Sequence, residues 1–170
     1  MLKNWQKWVL EALAIIAVVV AVQLWQVRGL PEGPAPELAG NGLDSQPLSL
    51  AATVAAAKGK PVLVAFWATW CGVCKAEGGN LAAIAADTPF LSVAMQSGEG
   101  SAVAAYLAER GRSLPTINDP EGLLANGWQV RGVPSHFIVD GNGNVRFRVV
   151  GYATEWGLRA RLWWAEKFLQ

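Results

Sequence analysis

The stretch VLVAFWATWCGVCK, residues 62–75, is the most informative part of the 170-residue chain. It belongs to a continuous apolar run from Pro61 to Trp67 and ends in Cys71 and Cys74, the only cysteines of the protein. An apolar run without alternation is typical of a central strand that is covered on both faces. The sequence therefore predicts a buried strand that leads directly into a close pair of thiols.

Two cysteines three positions apart can form a redox couple, part of a metal site or a structural staple. A disulfide that closes so short a loop contributes only about 2 kcal/mol on the chain-entropy model, against about 4.6 kcal/mol for a loop of roughly 90 residues. A structural zinc site needs four Cys or His ligands, and the chain has two cysteines and one histidine. Redox chemistry is therefore the favoured interpretation, and two-ligand binding of a soft metal is the alternative.

The N-terminal segment differs in kind from the rest of the chain. Trp8–Val27 is long enough to cross a hydrocarbon core of about 30 Å, and Lys3 and Lys7 ahead of it predict that residues 1–7 stay in the cytoplasm. We therefore expect a signal anchor over 8–27, with the rest of the chain on the opposite side. A cleaved signal peptide is the alternative, because the uninterrupted apolar core, Ala12–Val22, has only 11 residues.

The exported part is close to neutral. Of the 14 basic and 13 acidic residues of the whole chain, 11 and 12 lie beyond residue 28. No basic stripe is present, so we expect no nucleic-acid partner. A single close pair of cysteines also excludes a disulfide-stapled scaffold, and the core must hold the fold.

The region after the apolar segment reads as a spacer followed by one domain. Arg28–Pro36, RGLPEGPAP, is rich in Pro and Gly, a composition that favours an extended and semi-rigid spacer. We expect a linker over 28–42 and a folded domain over 43–170, with edge strands within Leu43–Leu50.

Strands and helices alternate through the expected domain. We expect strands at 61–67, 91–96, 116–118, 136–140 and 145–150, and helices at 51–58, 71–86, 101–109, 121–128 and 155–169. Asn142-Gly143 between the last two strands is a hairpin signal. Gly78-Gly79 predicts a kink or a close approach in the second helix. The alternation indicates an α/β fold with a mixed central sheet and helices on both faces.

The order of these features resembles the thioredoxin fold, in its membrane-anchored TlpA-like branch of bacterial thiol-disulfide oxidoreductases. The resemblance covers about residues 43–170 and is carried by VLVAFWATWCGVCK at 62–75, by Leu114-Pro115 with Asn118-Asp119, and by VRGVPSHFIVD at 130–140 with the hairpin behind it. Within this branch, the segments WATWCGVCKAE, VAMQSG and GYATEWGLRARL are most similar to the suppressor for copper sensitivity D group.

The resemblance implies the roles of the site residues. Cys71 is expected to be the exposed attacking thiol, at a helix N-terminus that stabilises its thiolate, and Cys74 the buried resolving thiol. Pro134 is expected to be a cis-proline that faces the disulfide. The substrate-binding residues implied are Trp70, Gly72, Val73, Val133 and Pro134. No cofactor beyond the Cys71–Cys74 disulfide and no metal is expected, and a thiol peroxidase would need a peroxidatic site that this CxxC does not supply.

The resemblance also implies partners and a place in the cell. Members of this branch sit in the bacterial inner membrane as single-pass proteins, with the catalytic domain in the periplasm. They usually draw electrons from a transmembrane thiol carrier and act on protein thiols and disulfides. We therefore expect reduction of protein disulfides, in the context of copper tolerance.

Several positions depart from the patterns of related families. Thioredoxins carry a buried aspartate where this chain has Ala65, and Glu77 is a candidate substitute for it, although a solvated surface charge is the favoured role. Cytochrome c maturation proteins usually read Gly-Val-Pro-Glu-Thr-Phe, and here Ser135 and His136 replace the Glu-Thr pair. A role as electron donor to apocytochrome c stays open as an alternative.

His136, the only histidine, is a second possible modulator of the site. The favoured interpretation is a packed or half-exposed strand residue. If its ring instead pointed to Cys71, Cys71, Cys74 and His136 could form a Cu(I) site. The chain would then be an anchored copper-binding module.

Overall fold

The structure is a computed structural model, and it describes residues 2–169. Met1 and Gln170, the outer ends of the expected cytoplasmic and folded segments, lie outside the described residues. The side chains of residues 2–4 and 24 also lie outside them, and Lys3, one of the two lysines behind the expected orientation, is among these.

The elements follow the predicted alternation. The strands are β1 (Gly33–Pro34), β2 (Ala39–Asn41), β3 (Pro47–Ser49), β4 (Val62–Trp67), β5 (Phe90–Met95), β6 (Thr116–Asp119), β7 (Ser135–Val139) and β8 (Asn144–Val150). The helices are α1 (Leu2–Gln26), α2 (Leu50–Ala56), α3 (Gly72–Ala85), α4 (Gly100–Ala108), α5 (Leu123–Gly127) and α6 (Glu155–Phe168).

A mixed sheet with the order β1-β8-β7-β4-β5-β6 forms the centre of the domain. β4, β5 and β6 run parallel to one another, whereas β7 is antiparallel to both β4 and β8. All residues of β4, β5 and β7 are buried, so the sheet is covered on both faces. The predicted thioredoxin-like α/β fold is confirmed.

The core on one side of the sheet is built around three aromatic rings. Phe66 of β4 and Phe137 of β7 lie 5.7 Å apart, and Trp128 lies 5.5 Å from the first and 4.9 Å from the second. Tilted and edge-on rings at these separations attract one another beyond the area that they bury. The cluster fixes β4 against β7, the two strands that lead into and follow the expected site.

Helix α3 runs without a break through Gly78-Gly79. The close approach predicted there as the alternative to a kink does occur. Gly78 is buried, and a Cβ there would overlap the guanidinium of Arg112. Arg112 in turn donates a hydrogen bond to the carbonyl of Lys75 at 3.3 Å.

The expected linker over 28–42 needs correction. Leu30 and Leu38 are buried, β1 pairs with β8, and the carbonyl of Glu37 accepts a hydrogen bond from the indole of Trp128. Burial of a leucine contributes about 1.5–3 kcal/mol, a gain that a free spacer would lose. The stretch from Leu30 onward is therefore packed against the domain.

The strand expected within Leu43–Leu50 exists as β3, but it does not extend the central sheet. β3 pairs with β2 in a separate two-stranded sheet. β2 lies just before residue 43, the expected start of the domain, and β3 lies just after it. The small sheet therefore connects the end of the expected linker to α2, which follows β3 directly.

The N-terminal apolar segment forms one long helix, α1. Among the described residues, Trp5–Gln23 is the one stretch that is long and apolar enough to cross a membrane, judged by length and composition, with a mean hydropathy of 1.8. Trp8 and Trp25 are exposed near its two ends.

Candidate active site

The junction between β4 and α3 holds the two cysteines as a disulfide. Cys71 is the N-cap residue of α3, and its Sγ accepts a hydrogen bond from the backbone N–H of Cys74 at 3.0 Å. Free N–H groups and the helix dipole at this end favour negative charge on the capping atom. The position therefore suits a sulfur that must become a thiolate.

The expected contrast between an exposed Cys71 and a buried Cys74 is absent in this disulfide form. Their exposed fractions are 7% and 5%. The reason lies in the loop before β7, where the carbonyl oxygen of Val133 is 3.5 Å from Cys71 Sγ. This loop covers the sulfur that the resemblance implies to be the attacking one.

The loop over the disulfide contains the cis peptide bond Val133–Pro134, at the position that the resemblance implies. Pro134 is buried, and Val133 is half-buried. The two residues lie directly at the entrance to β7. An extended chain bound here would meet the disulfide and the backbone of Val133 together.

An apolar rim surrounds the disulfide on the solvent side. Trp70 is 62% exposed, yet its indole N–H donates to the carbonyl of Gln96 at 2.9 Å, which fixes the ring. Val73 is exposed on the first turn of α3, beside Gly72, whose open Cα leaves space at the disulfide. Trp70 and Val73 therefore leave exposed apolar surface beside the disulfide.

Glu77 is not a surface charge, and that expectation is wrong. The side chain is completely buried, and its Oε1 accepts a hydrogen bond from the backbone N–H of Ala153 at 2.8 Å. Glu77 is three positions after Cys74, and both are buried on the inner face of α3. The carboxyl group thus lies in the interior, on the same face of α3 as Cys74.

His136 is buried, with an exposed fraction of 1%, and the expectation of a packed strand residue is confirmed. Its Nε2 lies 3.3 Å from Oε2 of Glu77. In the antiparallel β4–β7 pair, His136 is directly opposite Ala65, so the two side chains share one face of the sheet. The methyl group of Ala65 leaves the imidazole room at the position where thioredoxins carry their aspartate.

The three residues of the Cu(I) alternative do not form a metal site. Within residues 2–169, no group of three or more His, Cys, Asp or Glu side chains is arranged to hold a metal ion. The ring of His136 is paired with Glu77 instead. In the disulfide form, the described residues therefore do not bring the three side chains together as the Cu(I) alternative requires.

Sequence reasoning missed two partners of the site because both are backbone groups. The N–H of Ala153 holds Glu77, and the carbonyl of Gln96 holds Trp70. Neither residue type carries a signal for these contacts. One feature of the sequence could have predicted the burial of Glu77. It is three positions after Cys74 on the same helix, so the two side chains share a face.

Comparison with known proteins places the chain among thioredoxin-like proteins. The AhpC/TSA family matches residues 31–148. The thioredoxin-like protein of Haemophilus influenzae is 34% identical over 64% of this chain and 65% of its own length. The chain thus spans just under two thirds of that relative. The thiol:disulfide interchange protein DsbE of Escherichia coli K12 is 30% identical over 93% of this chain and 90% of its own length.

A solved structure has the same fold as this chain. The thioredoxin-family thiol:disulfide interchange protein of Chlorobium tepidum superposes with a TM-score of 0.66 at 25% identity. The superposition covers 80% of this chain and 97% of that protein.

Proposed function

The chain belongs to the AhpC/TSA family of thioredoxin-like proteins, and on that basis we propose that it is a membrane-anchored reductase of protein disulfides that works through Cys71 and Cys74. One observation carries the proposal: the disulfide caps the N-terminus of α3 and faces the cis Val133–Pro134 bond. A sulfur held in this way can become a stable thiolate and meet an extended substrate at the same point.

The reaction is thiol-disulfide exchange in two steps. The Cys71 thiolate attacks one sulfur of the substrate disulfide and forms a mixed disulfide, and the other substrate sulfur leaves as a thiolate. Cys74 then attacks Cys71 Sγ, the bond to the substrate breaks, and the Cys71–Cys74 disulfide forms again. Two electrons pass to the substrate in each cycle.

The substrate is a protein segment in extended form. The indole of Trp70 and the side chain of Val73 offer exposed apolar surface on either side of the disulfide. The carbonyl of Val133, next to cis Pro134, lies 3.5 Å from Cys71 Sγ. Trp70, Gly72, Val73, Val133 and Pro134 form the binding surface. Main-chain hydrogen bonds to the substrate provide affinity, and apolar contacts hold its side chains.

The domain works on the exported side of the bacterial inner membrane. Support comes from α1, whose Trp5–Gln23 stretch has the length and composition of a membrane span. In this arrangement a transmembrane thiol carrier supplies the electrons that restore the dithiol. Residues 8–27 remain attached as a signal anchor.

Of the two physiological roles, electron delivery to apocytochrome c is favoured. It needs thiol-disulfide interchange alone, which is the activity in the name of the Escherichia coli relative that matches over nine tenths of this chain. Copper tolerance, and with it membership of the suppressor for copper sensitivity D group, is the second candidate. One observation favours it: His136 stands where cytochrome c maturation proteins usually have threonine, and it is paired with a buried carboxylate.

The two cysteines provide a matched pair of variants to test the reaction. Reduction of insulin by the full chain should be lost in Cys71→Ser, whereas Cys74→Ser should form the mixed disulfide and fail to release it. Insulin reduction that survives Cys71→Ser would contradict the proposal, and so would peroxide consumption in place of it.

The substrate can be identified with the trapping variant. Cys74→Ser is expressed in its membrane, and the protein bound to Cys71 is identified by mass spectrometry after release with a reductant. Apocytochrome c peptides support the favoured role. Copper-handling proteins in their place would overturn it in favour of the second candidate.

A further inference from the structure

A cleft of about 330 Å³ lies between the end of α1 and the loop that covers the disulfide. The helix contributes Trp25 to its wall, and Arg131 and Gly132 come from the loop before β7. Gly132 directly precedes Val133, whose carbonyl oxygen is 3.5 Å from Cys71 Sγ. The cleft therefore adjoins both the membrane helix and the active site.

Two arginines line the cleft without a compensating charge. Arg28 lies two residues beyond the end of α1, Arg131 lies in the loop before β7, and both are exposed. Within residues 2–169, neither side chain forms an ion pair or a hydrogen bond, and no described aspartate or glutamate lines the cleft. Two like charges in one concave site attract an anion.

A third arginine beside the cleft is, by contrast, compensated. Arg148 forms an ion pair with Glu32 and donates a hydrogen bond at 3.3 Å to the carbonyl of Leu30, which lines the cleft. Because the carboxylate of Glu32 is held by Arg148, it does not neutralise Arg28. The positive charge of the cleft thus comes from Arg28 and Arg131.

The end of the membrane helix sets the depth of the cleft. Trp25 lies two residues beyond the Trp5–Gln23 stretch, which has the length and composition of a membrane span, and two residues are about 3 Å along a helix axis. The indole is 70% exposed, and tryptophan at the end of a span prefers the level of the lipid headgroups. Under the proposed anchoring, the cleft therefore opens at the level of the lipid phosphates.

Building on the proposed membrane anchoring, we propose that Arg28 and Arg131 bind the phosphate group of an anionic phospholipid in the leaflet next to the domain. A guanidinium offers two parallel N–H donors to phosphate oxygens. An arginine near an anionic membrane surface adds about fivefold to the affinity. The bound headgroup contacts the anchor through Arg28 and the domain through Arg131.

A phospholipid fits the cleft better than an acidic protein segment does. Beside the two arginines, the wall includes the apolar side chains of Trp25, Leu30 and Val150, which suit the glycerol and upper acyl part of a lipid. A volume of about 330 Å³ is near the lower end of the range of about 300–1,000 Å³ for small-ligand sites. The cleft therefore holds one headgroup rather than a length of chain.

The bound lipid holds the active-site loop at the membrane. Arg131 is two residues before Val133, whose carbonyl lies next to Cys71 Sγ. A headgroup on Arg131 therefore keeps this loop at the bilayer surface. The proposed thiol carrier, which lies in that bilayer, then finds the disulfide on the side of the domain that faces the membrane.

Lipid binding can be measured on the full chain in a neutral detergent. Phosphatidylglycerol is titrated and the lipid-bound fraction is read by native mass spectrometry, with zwitterionic phosphatidylcholine as the comparison. Phosphatidylglycerol should bind more tightly. Its affinity should fall about fivefold in Arg28→Gln and in Arg131→Gln, and about twenty-five-fold in the double variant.

Arg161→Gln is the matched control for the loss of one positive charge. Arg161 is also exposed, but it lies on α6 outside the cleft, so its replacement should leave the affinity for phosphatidylglycerol unchanged. Thermal unfolding without added lipid checks that all variants are folded. Equal affinity in the wild type and Arg131→Gln, or an equal loss in Arg161→Gln, would overturn the proposal.

Hydrogen exchange locates the lipid on the protein. The full chain is inserted into nanodiscs of phosphatidylcholine alone or of an equimolar mixture with phosphatidylglycerol. The amides of residues 131–133 should exchange more slowly in the mixture, and this difference should be absent in Arg28→Gln and Arg131→Gln. The same slowing by excess inorganic phosphate or by a polyglutamate peptide, in discs of phosphatidylcholine alone, would assign the cleft to a free anion or to a protein segment and refute the lipid.

Failure of this proposal and failure of the proposed function give different results. If insulin reduction survives in Cys71→Ser, the redox function is wrong, whereas the lipid affinities are unaffected. If the chain does not insert into the discs, the anchor is wrong and the lipid site is wrong with it. Normal insulin reduction together with equal affinity for the two lipids removes the lipid site alone.

Discussion

Asp140 accepts a hydrogen bond from Nε of Arg146 at 2.5 Å across the turn that joins β7 to β8. The same carboxylate also accepts the backbone N–H groups of Asn142 and Asn144, each at 2.9 Å. Burial alone would raise the pKa of Asp140, but these three donors outweigh it and hold the pKa below its usual value. The hairpin that carries His136 is therefore closed by an ionised side chain.

Asp140→Asn should lower the free energy of unfolding by about 1–3 kcal/mol at pH 7, because it removes the charge from a buried, hydrogen-bonded acceptor. A carboxyl group whose pKa is lowered by folding stabilises the protein above its unfolded pKa of about 3.9 and loses this effect as the pH falls through the folded value. The difference between wild type and variant should thus shrink below about pH 4. Urea unfolding at pH 7 and pH 3 measures it.

Asp87 provides the control for this experiment. Its pKa is also lowered, chiefly by a hydrogen bond from Arg159, but the side chain is exposed and solvent screens it. Asp87→Asn should therefore change stability less than Asp140→Asn at pH 7. Equal effects of the two substitutions would contradict the role assigned to the hairpin carboxylate.

The two adjacent glycines of α3 should respond differently to alanine. Gly79 is exposed with open space around it, so Gly79→Ala should stabilise the protein by about 0.8–1 kcal/mol through helix propensity. Gly78→Ala should gain less, because the new methyl group displaces Arg112 from the carbonyl of Lys75. Thermal unfolding of both variants measures the difference. An equal increase in stability would show that the contact of Arg112 with Lys75 does not stabilise the protein.

Enlarging Ala65 should disturb the pocket that holds the imidazole of His136. Ala65→Val adds two methyl groups to a fully buried strand position, and overpacking of this kind costs about 1–3 kcal/mol. Ala39→Val on the exposed side of β2 should stay within about 0.5 kcal/mol. Urea unfolding compares them, and a neutral Ala65→Val would show that the space opposite His136 is larger than the register implies.

Leu38→Ala tests whether the stretch expected as a spacer is part of the core. Leu38 is 2% exposed, and truncation of a buried leucine costs about 2–5 kcal/mol. Leu123→Ala, at a leucine that is 71% exposed, should cost far less. If both variants unfold at the wild-type urea concentration, Leu38 does not contribute to the fold.

The elements that the sequence predicted well are those whose signal is local. β4 is a continuous apolar run, and α3 begins at a capping residue, so both ends of the site could be placed from the residues alone. The prediction of a linker before residue 43 was wrong because the Pro and Gly content of this segment is equally compatible with a spacer and with an edge strand. Only the distant partners of Leu30 and Leu38 decide between the two.

The chemistry of the site was harder to predict for the same reason. Burial of Glu77 depends on where α6 and β7 lie, and its acceptor contact with Ala153 joins residues 76 positions apart. The low exposure of Cys71 depends on Val133, which is 62 positions away. Spacing identified the residues, but long-range packing determined their environment.

The packing of Leu30 has a consequence for where the enzyme can work. Helix α1 ends at Gln26 and the domain begins to be buried at residue 30, so only three residues connect them, and these span at most about 10 Å. With α1 embedded in a bilayer, the domain moves in two dimensions along the membrane surface rather than through the volume beyond it. Under the proposed anchoring, substrates would have to be delivered to that surface, and the proposed carrier would meet the active site by lateral diffusion.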